Sequence, residues 1–389
     1  MTDTLKSIHA QKILDSRGNW TVEVLAESGS GLLGKGMAPS GASTGAHEAK
    51  VLDAQESVKI ANTILQKLSG ATLEQKNIDE LLARIDGTRG FSRIGGNAAI
   101  AVSFAIYNLL HKEPAWKKKT VFPYPLGNVF GGGKHGGATD IQEFLLCPLK
   151  SKSFPDAIER MAGAYHELKK EAQKICAVGI NDEGALTAKI PFEKSLDLIC
   201  RIAGNNCCQL GLDVASSGMW NGKKYIYQKM KKSFDSGGQI DFISDTIRTY
   251  NLFYAEDPLH EEDFEGFAEL NKKHGKKCLI CGDDLTTTNP ERIKMAMANK
   301  SVNSVIVKPN QVGTVTLAHE FVSIAKKNKI VPVISHRSAE TTDSTISVIA
   351  FDWEIPIIKA GVVDMRVAKL NRLLEMWDNC KKPRMAKLK

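Results

Sequence analysis

The period of the apolar positions changes along the chain and divides it into two regions. Alternating apolar and polar residues in the segments 11–28 and 31–40 predict a meander of β-strands separated by glycine-containing turns. Apolar residues then recur at helical spacing in three segments, 45–70, 77–85 and 95–112, the last of which is apolar nearly all round. The first region is therefore expected to be a small α+β domain.

The pattern of apolar and polar residues changes after the Pro- and Lys-rich segment 113–127, which we interpret as a linker. Short apolar runs there alternate with helical segments, as is typical of βα units, and their near-continuous apolar character indicates strands buried on both faces. Six of these runs end at an ionisable residue, in the order Asp213, Glu256, Asp283, Lys308, His336 and Lys359.

The position of these residues favours a barrel. In an eightfold α/β barrel the carboxyl ends of the parallel strands meet at one mouth, so the six side chains would converge on one pocket. A doubly wound sheet is the alternative, but it spreads its strand ends along a line, and the chain has no Gly-x-Gly-x-x-Gly after a first strand. We predict an N-terminal α+β capping domain at 1–120 and a catalytic α/β barrel at 121–389.

Composition and charge exclude several classes of protein. An apolar fraction of 42% and a charged fraction of 25% are those of a globular protein, and no apolar stretch is long enough to span a membrane. The net charge of +8 comes partly from short basic runs without interleaved aromatic residues, so no nucleic-acid groove is expected. The start of the chain lacks the features of a secretory signal, which predicts a cytoplasmic protein.

The eight cysteines are expected to be reduced core residues rather than a disulfide framework. Cys278 and Cys281 form one Cys-x-x-Cys pair, but they lie within an apolar run and no second pair supports a zinc site.

Asp283 and Asp284 place two like charges side by side where a strand is expected to end. One aspartate there would be explained as a helix cap, whereas two require a cation, a lysine or a hydrogen-bond network. Asp213, Glu256 and Asp283 would bring three carboxylates to one point, and such an all-oxygen set suits a hard cation, Mg2+ before Ca2+. The alternative, that each acid only caps the next helix, is disfavoured by their succession beside two lysines.

Lys308 and Lys359 would share the mouth with that cation. Positive charge and partial burial lower the pKa of a lysine and make a neutral amine base available. A metal that binds carboxylate oxygens beside such a base is suited to forming and stabilising an enolate.

Candidate acids and anion-binding groups come from glycine-containing segments and strand ends. Glu183 lies in the segment 181–186, and His135 and Glu143 lie in 131–144; ordinary turns or linkers are the alternative for both segments. Arg337 and Ser338 directly follow an apolar run and would form an anion site if a helix begins there.

Several longer blocks, in order from about residue 7 to residue 375, resemble the enolase family. They include ILDSRGNWTVEV, PSGASTGAHEA, NDEGAL, AEDPLHEEDFEGF, GDDLTTTNP, VKPNQVGT and SHRSAETTDSTIS. The resemblance implies a small α+β domain and an α/β barrel with an irregular β-β-α-α start. It also implies the reversible dehydration of 2-phospho-D-glycerate, a phosphorylated hydroxy acid, to phosphoenolpyruvate with two Mg2+ per active site.

The same resemblance implies roles for residues of this chain. Asp213, Glu256 and Asp283 would hold the first magnesium, and Ser43 with its closing loop would ligate the second. Lys308 would be the base at C2, while Glu183, supported by Glu143, would assist departure of the C3 hydroxyl. Asp284 would pair near Lys308. The substrate contacts implied are His135 on a second closing loop, Gln142, His336 and Lys359, with Arg337 and Ser338 on the phosphate.

Some segments depart from the family pattern. Lys134 and its neighbours replace the usual Ser-His-Ala-Gly-Asn around His135, and the segment 213–220 lacks the usual acidic-aromatic continuation. The family implies a dimer, or an octamer built from dimers. Two departures bear on this assembly: Trp20 in place of the usual proline, and a short C-terminus.

Two alternative functions stay open. One is a related dehydratase or racemase acting on a non-phosphorylated acid, which would leave the anion sites at Arg337 and Ser43 without a ligand. The other is a non-catalytic binding protein that uses the Lys-rich tail at 381–389. Retention of every acid and both lysines of the pattern argues against the second.

Overall fold

The structure is a computed structural model that describes residues 3–41, 47–111, 119–137 and 139–388. The strands are β1 (Leu5–Leu14), β2 (Trp20–Ser28), β3 (Leu33–Met37), β4 (Val121–Phe122), β5 (Tyr124–Gly131), β6 (Glu143–Cys147), β7 (Val178–Ile180), β8 (Leu186–Ala188), β9 (Gln209–Asp213), β10 (Tyr225–Tyr227), β11 (Lys232–Phe234), β12 (Tyr254–Glu256), β13 (Leu279–Gly282), β14 (Ser304–Val307), β15 (Val331–Ser335), β16 (Ile357–Lys359) and β17 (Arg384–Met385). The α-helices are α1 (Ala54–Thr63), α2 (Gln75–Asp86), α3 (Gly96–Leu110), α4 (Phe154–Gln173), α5 (Phe192–Asn205), α6 (Ser236–Tyr250), α7 (Phe264–His274), α8 (Pro290–Ala298), α9 (Pro309–Val312), α10 (Val315–Lys327), α11 (Thr345–Asp352) and α12 (Val367–Asn379).

An N-terminal unit is formed by the antiparallel meander β1-β2-β3 and the helices α1 to α3. Helix α3 packs directly on the meander, because Gly34 and Gly36 of β3 have no side chains to hold it away. A Cβ at Gly34 would lie 2.1 Å from the carbonyl oxygen of Ala105, and one at Gly36 would lie 2.3 Å from that of Ala101. The strands, the helices and the nearly complete burial of α3 agree with the sequence prediction.

The barrel is closed by eight strands, in the order β16-β15-β14-β13-β12-β9-β6-β5, with β5 pairing back to β16. Strand β6 runs antiparallel to both β5 and β9, whereas the pairs from β9 to β16 and the closing pair are parallel. The predicted α/β barrel with its irregular β-β-α-α start is therefore confirmed.

The interpretation of 113–127 as a linker is wrong for its last residues. Residues 112–118 lie outside the described part of the chain, but Tyr124–Gly131 forms the first barrel strand and is buried along its whole length. The strand was not predicted because the segment contains prolines at 123 and 125, and prolines are typical of connecting segments.

The antiparallel direction of β6 decides which of its ends faces the barrel mouth. Its first residue, Glu143, pairs with Asp213 at the end of β9, and its last residue, Cys147, pairs with Gln209 at the start of β9. Glu143 therefore lies at the same edge as the carboxyl ends of the parallel strands.

The floor of the barrel is covered from the C-terminal side. Strand β17 pairs with β4, and the side chains of Met385 and Leu388 pack against the buried apolar residues of the lower barrel, among them Tyr124 and Ile357. The basic segment beyond residue 380 is thus partly a packed strand rather than a free tail. None of the helices in the described ranges is long and apolar enough to cross a membrane.

Candidate active site

Strand geometry brings the six ionisable residues of the apolar runs to one edge of the barrel. Asp213, Glu256 and Lys359 are the last residues of β9, β12 and β16. Asp283, Lys308 and His336 directly follow β13, β14 and β15. All of them except the fully buried Glu256 line one cavity at the mouth.

Lys359 lies at the centre of a buried group of carboxylates. Its Nζ is 2.9 Å from Oδ2 of Asp213, 2.8 Å from Oε2 of Glu256 and 2.8 Å from Oε2 of Glu143. The last contact lacks hydrogen-bond geometry. Burial disfavours the ammonium charge, but the surrounding carboxylates outweigh burial and raise the pKa of Lys359 well above its ordinary value. Lys359 is therefore a fixed cation rather than a base.

Lys308 forms an ion pair with Asp283, whose other oxygen accepts a hydrogen bond from Nε2 of Gln311 at 3.3 Å. Burial lowers the pKa of Lys308, but the carboxylate of Asp283 more than offsets it, and the pKa is raised above its ordinary value. The expectation of a lowered pKa concerns Lys308 beside a bound divalent cation, and it stays a prediction.

Asp257 explains how the two adjacent aspartates are held, and the sequence analysis missed it. Its Oδ1 accepts the backbone N–H of Asp283 at 2.9 Å, and its Oδ2 accepts that of Asp284 at 2.8 Å. The three carboxyl groups each place one oxygen within 4.8 Å of the others. The doublet Glu256-Asp257 in the sequence was the available signal, since it repeats the acidic pair at 283–284 one βα unit earlier.

Burial and crowding shift the pKa values of three acids around Asp283 upward. Burial and the neighbouring Asp213 raise the pKa of Glu256 to about 8, and burial and Asp283 raise that of Asp284 to about 7. Burial together with Asp284 and Asp283 raises the pKa of Asp257 well above its ordinary value. The like charges are thus incompletely balanced by the cations around them.

The donor set of the cavity fits magnesium. Seven carboxyl groups line it, Glu48, Glu143, Glu183, Asp213, Asp257, Asp283 and Asp284, against four cationic side chains, Lys134, Lys308, Arg337 and Lys359. The carboxylates offer only oxygen atoms, and the raised pKa values of Glu143, Asp257 and Asp284 indicate that further positive charge would be favourable. A hard divalent cation meets both conditions.

Glu183 lies in the loop of the β7–β8 hairpin and is buried at the cavity wall. Asn128 Nδ2 donates to Glu183 Oε2 at 3.2 Å, and Asn181 Oδ1 accepts the backbone N–H of Glu183 at 3.0 Å. Burial raises the pKa of Glu143 well above its ordinary value, and the nearby charge of Glu183 adds to the effect although Lys359 opposes it. A proton held by this pair of carboxyl groups is available to a leaving hydroxyl.

His336 is held in one tautomer by Arg366, which sequence reasoning also missed. Nε of Arg366 donates to Nδ1 of His336 at 3.0 Å, so the neutral ring carries its proton on Nε2. Burial and the charge of Arg366 lower the pKa of His336 well below its ordinary value. His336 is therefore a neutral hydrogen-bond donor at the cavity.

Arg337 and Ser338 both line the cavity. The Arg337 guanidinium is buried and donates to Glu48 Oε2 at 2.9 Å. Gln142 lines the cavity as well and donates to Asp213 Oδ2 at 3.4 Å.

Two predicted residues are not fully covered by the structure. Ser43 lies outside the described residues, although Gly41, which precedes it in the same loop, lines the cavity. His135 ends the 3-10 turn Gly133–His135, and its side chain lies outside the described part.

The two parts of the chain each match a family model of known proteins. Residues 5–114 match a family model described as the N-terminal domain of enolase, and residues 119–384 match one described as the C-terminal TIM barrel domain of enolase. Full-length relatives are similar throughout. The chain is 41% identical to the enolase of Methanosphaera stadtmanae over 415 aligned positions that cover 100% of both chains. It is 40% identical to the enolase of Archaeoglobus fulgidus, over 98% of this chain and 99% of that protein.

Proposed function

The chain belongs to the enolase family, and on this premise we propose how the residues at its barrel mouth carry out the family's reaction. The enzyme is a glycolytic carbon–oxygen lyase that interconverts 2-phospho-D-glycerate and phosphoenolpyruvate. The observation that carries the assignment of roles is the convergence of buried carboxylates and two lysines in one cavity.

Lys308 removes the proton from C2 of the substrate. Its Nζ lies at the cavity wall, and its pKa is held up mainly by Asp283. Two Mg2+ per site, held by Asp213, Glu256, Asp283 and Ser43, would supply the positive charge that stabilises an enolate oxygen and weakens the hold of Asp283 on the lysine proton.

Glu183 donates a proton to the C3 hydroxyl, which leaves as water. The raised pKa of Glu143, caused by burial and by the charge of Glu183, keeps one proton within the pair, and Asn128 Nδ2 donates to the Glu183 carboxylate. The loop of the β7–β8 hairpin is positioned by Asn181, which accepts the N–H groups of Glu183 and Ala185 at 3.0 and 2.9 Å.

The remaining residues bind and orient the substrate. Arg337 and Ser338 hold the phosphate, and Lys359 holds the carboxylate side of the substrate as a permanently charged cation. His336 donates from Nε2, and Gln142 and His135 complete the wall.

One assay tests the function directly. Purified protein is mixed with 2-phosphoglycerate and Mg2+, and the absorbance of phosphoenolpyruvate is followed, with an excess of EDTA as the control. Glycerate, which lacks the phosphate, is offered in parallel under the same conditions. We expect the protein to turn over 2-phosphoglycerate but not glycerate, and we expect EDTA to abolish this turnover. Turnover of glycerate instead would favour a related dehydratase or racemase, and no turnover of either would favour a binding role.

We further propose that the enzyme is a homo-oligomer, a dimer or an octamer built from dimers, and that it acts in the cytoplasm. Trp20 is 59% exposed on β2, where Lys12 Nζ lies over its ring at 4.9 Å, and its exposed face is an aromatic surface available to a second copy. All eight cysteines are free, as expected in a reducing compartment. Sedimentation velocity measures the assembly.

We place the domain division at 1–120 and 121–389, since β4 begins at residue 121 and β5, the first strand of the barrel, follows it at residue 124. Expression of the segment 121–389 alone, followed by circular dichroism, tests whether the barrel folds without the N-terminal unit.

A further inference from the structure

Three of the four cationic side chains that line the active-site cavity are neutralised by acids of the same cavity or its wall. Lys308 is paired with Asp283, and Arg337 NH1 lies 2.9 Å from Glu48 Oε2. Lys359 lies among three carboxylates. These cations hold the acidic cluster together, so most of their charge is already balanced before a substrate arrives.

Lys134 is the fourth cation and differs from the others. It is exposed in the 3-10 turn between β5 and β6, and its ammonium group has no ion-pair or hydrogen-bond partner among the described residues. Its side chain lines both the main cavity and an adjoining cavity that is lined by Met219, Ile226 and Lys229.

The position of the Lys134 side chain depends on Gly218. A Cβ on Gly218, in the turn after β9, would lie 3.2 Å from Cε and 3.7 Å from Nζ of Lys134. The absence of a side chain at Gly218 therefore leaves room for the end of the lysine at the cavity wall. Lys134 is placed by packing rather than by an opposite charge.

The expected substrate needs such a charge. A phosphorylated hydroxy acid carries a phosphate and a carboxylate, and the other three cations that line the cavity are already paired with acids. An unneutralised ammonium group at the wall attracts such an anion.

We propose that Lys134 is a substrate-binding residue whose ammonium group binds an anionic oxygen of the phosphorylated acid. This inference rests on the proposed function and adds to it a cation outside the buried catalytic cluster. Because Lys134 is exposed, its contact is screened by water, and we expect an effect on affinity of a few-fold rather than of several orders of magnitude.

Steady-state kinetics with 2-phosphoglycerate at low ionic strength test the proposal. Lys134→Gln should raise KM about three- to ten-fold and leave kcat within about two-fold, as expected for a contact made equally in the bound and transition states. Lys134→Arg should restore most of the affinity, because it keeps the charge. The matched control is Lys150→Gln, which removes the same charge from an exposed lysine beyond Cys147, at the opposite end of the barrel.

A second variant tests the placement of the side chain. Gly218→Ala keeps Lys134 but crowds the end of its side chain slightly, so KM should rise in the same direction by less than in Lys134→Gln, and the double variant should be no worse than Lys134→Gln alone.

Four results would overturn the inference: an unchanged KM in Lys134→Gln, an equal rise in the Lys150→Gln control, no rescue by arginine, or additive effects of the two substitutions. Each leaves the proposed function intact as long as the unsubstituted enzyme turns over 2-phosphoglycerate. An enzyme without that turnover would refute the proposed function itself.

Discussion

Arg17 of the N-terminal unit forms an ion pair with Asp182 of the barrel, one position before Glu183. The adjacent Ser16 reinforces the contact, because its backbone N–H donates to the carbonyl oxygen of Glu340 at 2.7 Å and its hydroxyl oxygen accepts the N–H of Glu340 at 3.0 Å. The turn between β1 and β2 thus anchors the hairpin loop that carries the proposed acid. The N-terminal unit is therefore part of the support of the active site.

Arg17→Gln should lower kcat about three- to ten-fold, because a half-buried ion pair contributes on the order of 1 kcal/mol to the position of the loop. Asp182→Asn should have a similar effect, and the double variant should be little worse than either single one. Lys6→Gln, which removes an exposed cation of β1 that pairs with Glu27 within the N-terminal unit, is the control. Independent, additive losses would show that the two side chains do not act together.

Magnesium binding should release protons at neutral pH. The pKa of Glu256 is raised to about 8 and that of Asp284 to about 7, so both groups hold part of a proton at pH 7 that a bound cation would displace. The release should fall as the pH rises through these values and be small at pH 9. Calorimetric titration with Mg2+ in two buffers of different ionisation enthalpy counts the protons. Equal apparent enthalpies in both buffers at pH 7 would contradict the raised pKa values.

Lys308→Ala should abolish exchange of the C2 proton with solvent, with a loss of about two to four orders of magnitude, while Mg2+ still binds. Exchange is followed by NMR in deuterated water, and metal binding is followed by calorimetry. Lys359→Ala is a useful contrast, because it leaves three buried carboxylates without their cation and should first disturb folding and metal affinity. Persistent exchange in Lys308→Ala would exclude Lys308 as the base.

Glu183→Gln should slow dehydration much more than exchange at C2, since Glu183 acts after the proton has been removed. The amide can still accept a hydrogen bond from Asn128, so the loop should keep its position. The ratio of the two rates, measured on the same sample, is the deciding quantity. An equal fall in both rates would assign Glu183 to positioning rather than to proton donation.

Removal of residues 381–389 should destabilise the protein by about 2–4 kcal/mol, although the sequence analysis considered this segment as a possible binding tail. Deletion removes the backbone hydrogen bonds Arg384 N–H to Thr120 O and Ala386 N–H to Phe122 O, both 2.8 Å, and the packing of Leu388 on the barrel floor. Chemical denaturation measures the loss. Replacing the exposed Lys381, Lys382 and Lys387 by Gln should leave the free energy of unfolding nearly unchanged. A large loss of stability in this variant would show that the deletion acts through charge rather than through packing.

Periodicity was sufficient to predict the barrel and the placement of Asp213 and Asp283 at its strand ends, because both depend on local patterns repeated along the chain. It missed β5, whose prolines are typical of a connection, and it took the antiparallel β6 for part of a glycine-rich loop.

The supporting residues were not predictable in the same way. Asp257, Asn128 and Arg366 act on partners 26, 55 and 30 positions away, and no local pattern shows such contacts. The ion pair of Lys308 with Asp283 was not predicted for the same reason, since it depends on their separation in space. Lys134 and Gly218 lie in the two segments that depart from the family pattern, and their proximity became visible only in the folded chain.

The pairing of β17 with β4 carries a consequence for how the enzyme is made in the cell. Strands β4 and β5 emerge from the ribosome long before Arg384 and Leu388. The pairing of β5 with β16, which closes the barrel, also has to wait until β16 has been made. A nascent chain therefore exposes apolar strand edges until residues 384–388 have been made, and such non-local pairing is intrinsically slow. Refolding from denaturant should accordingly be prone to aggregation and benefit from a chaperone that shields the unfinished barrel.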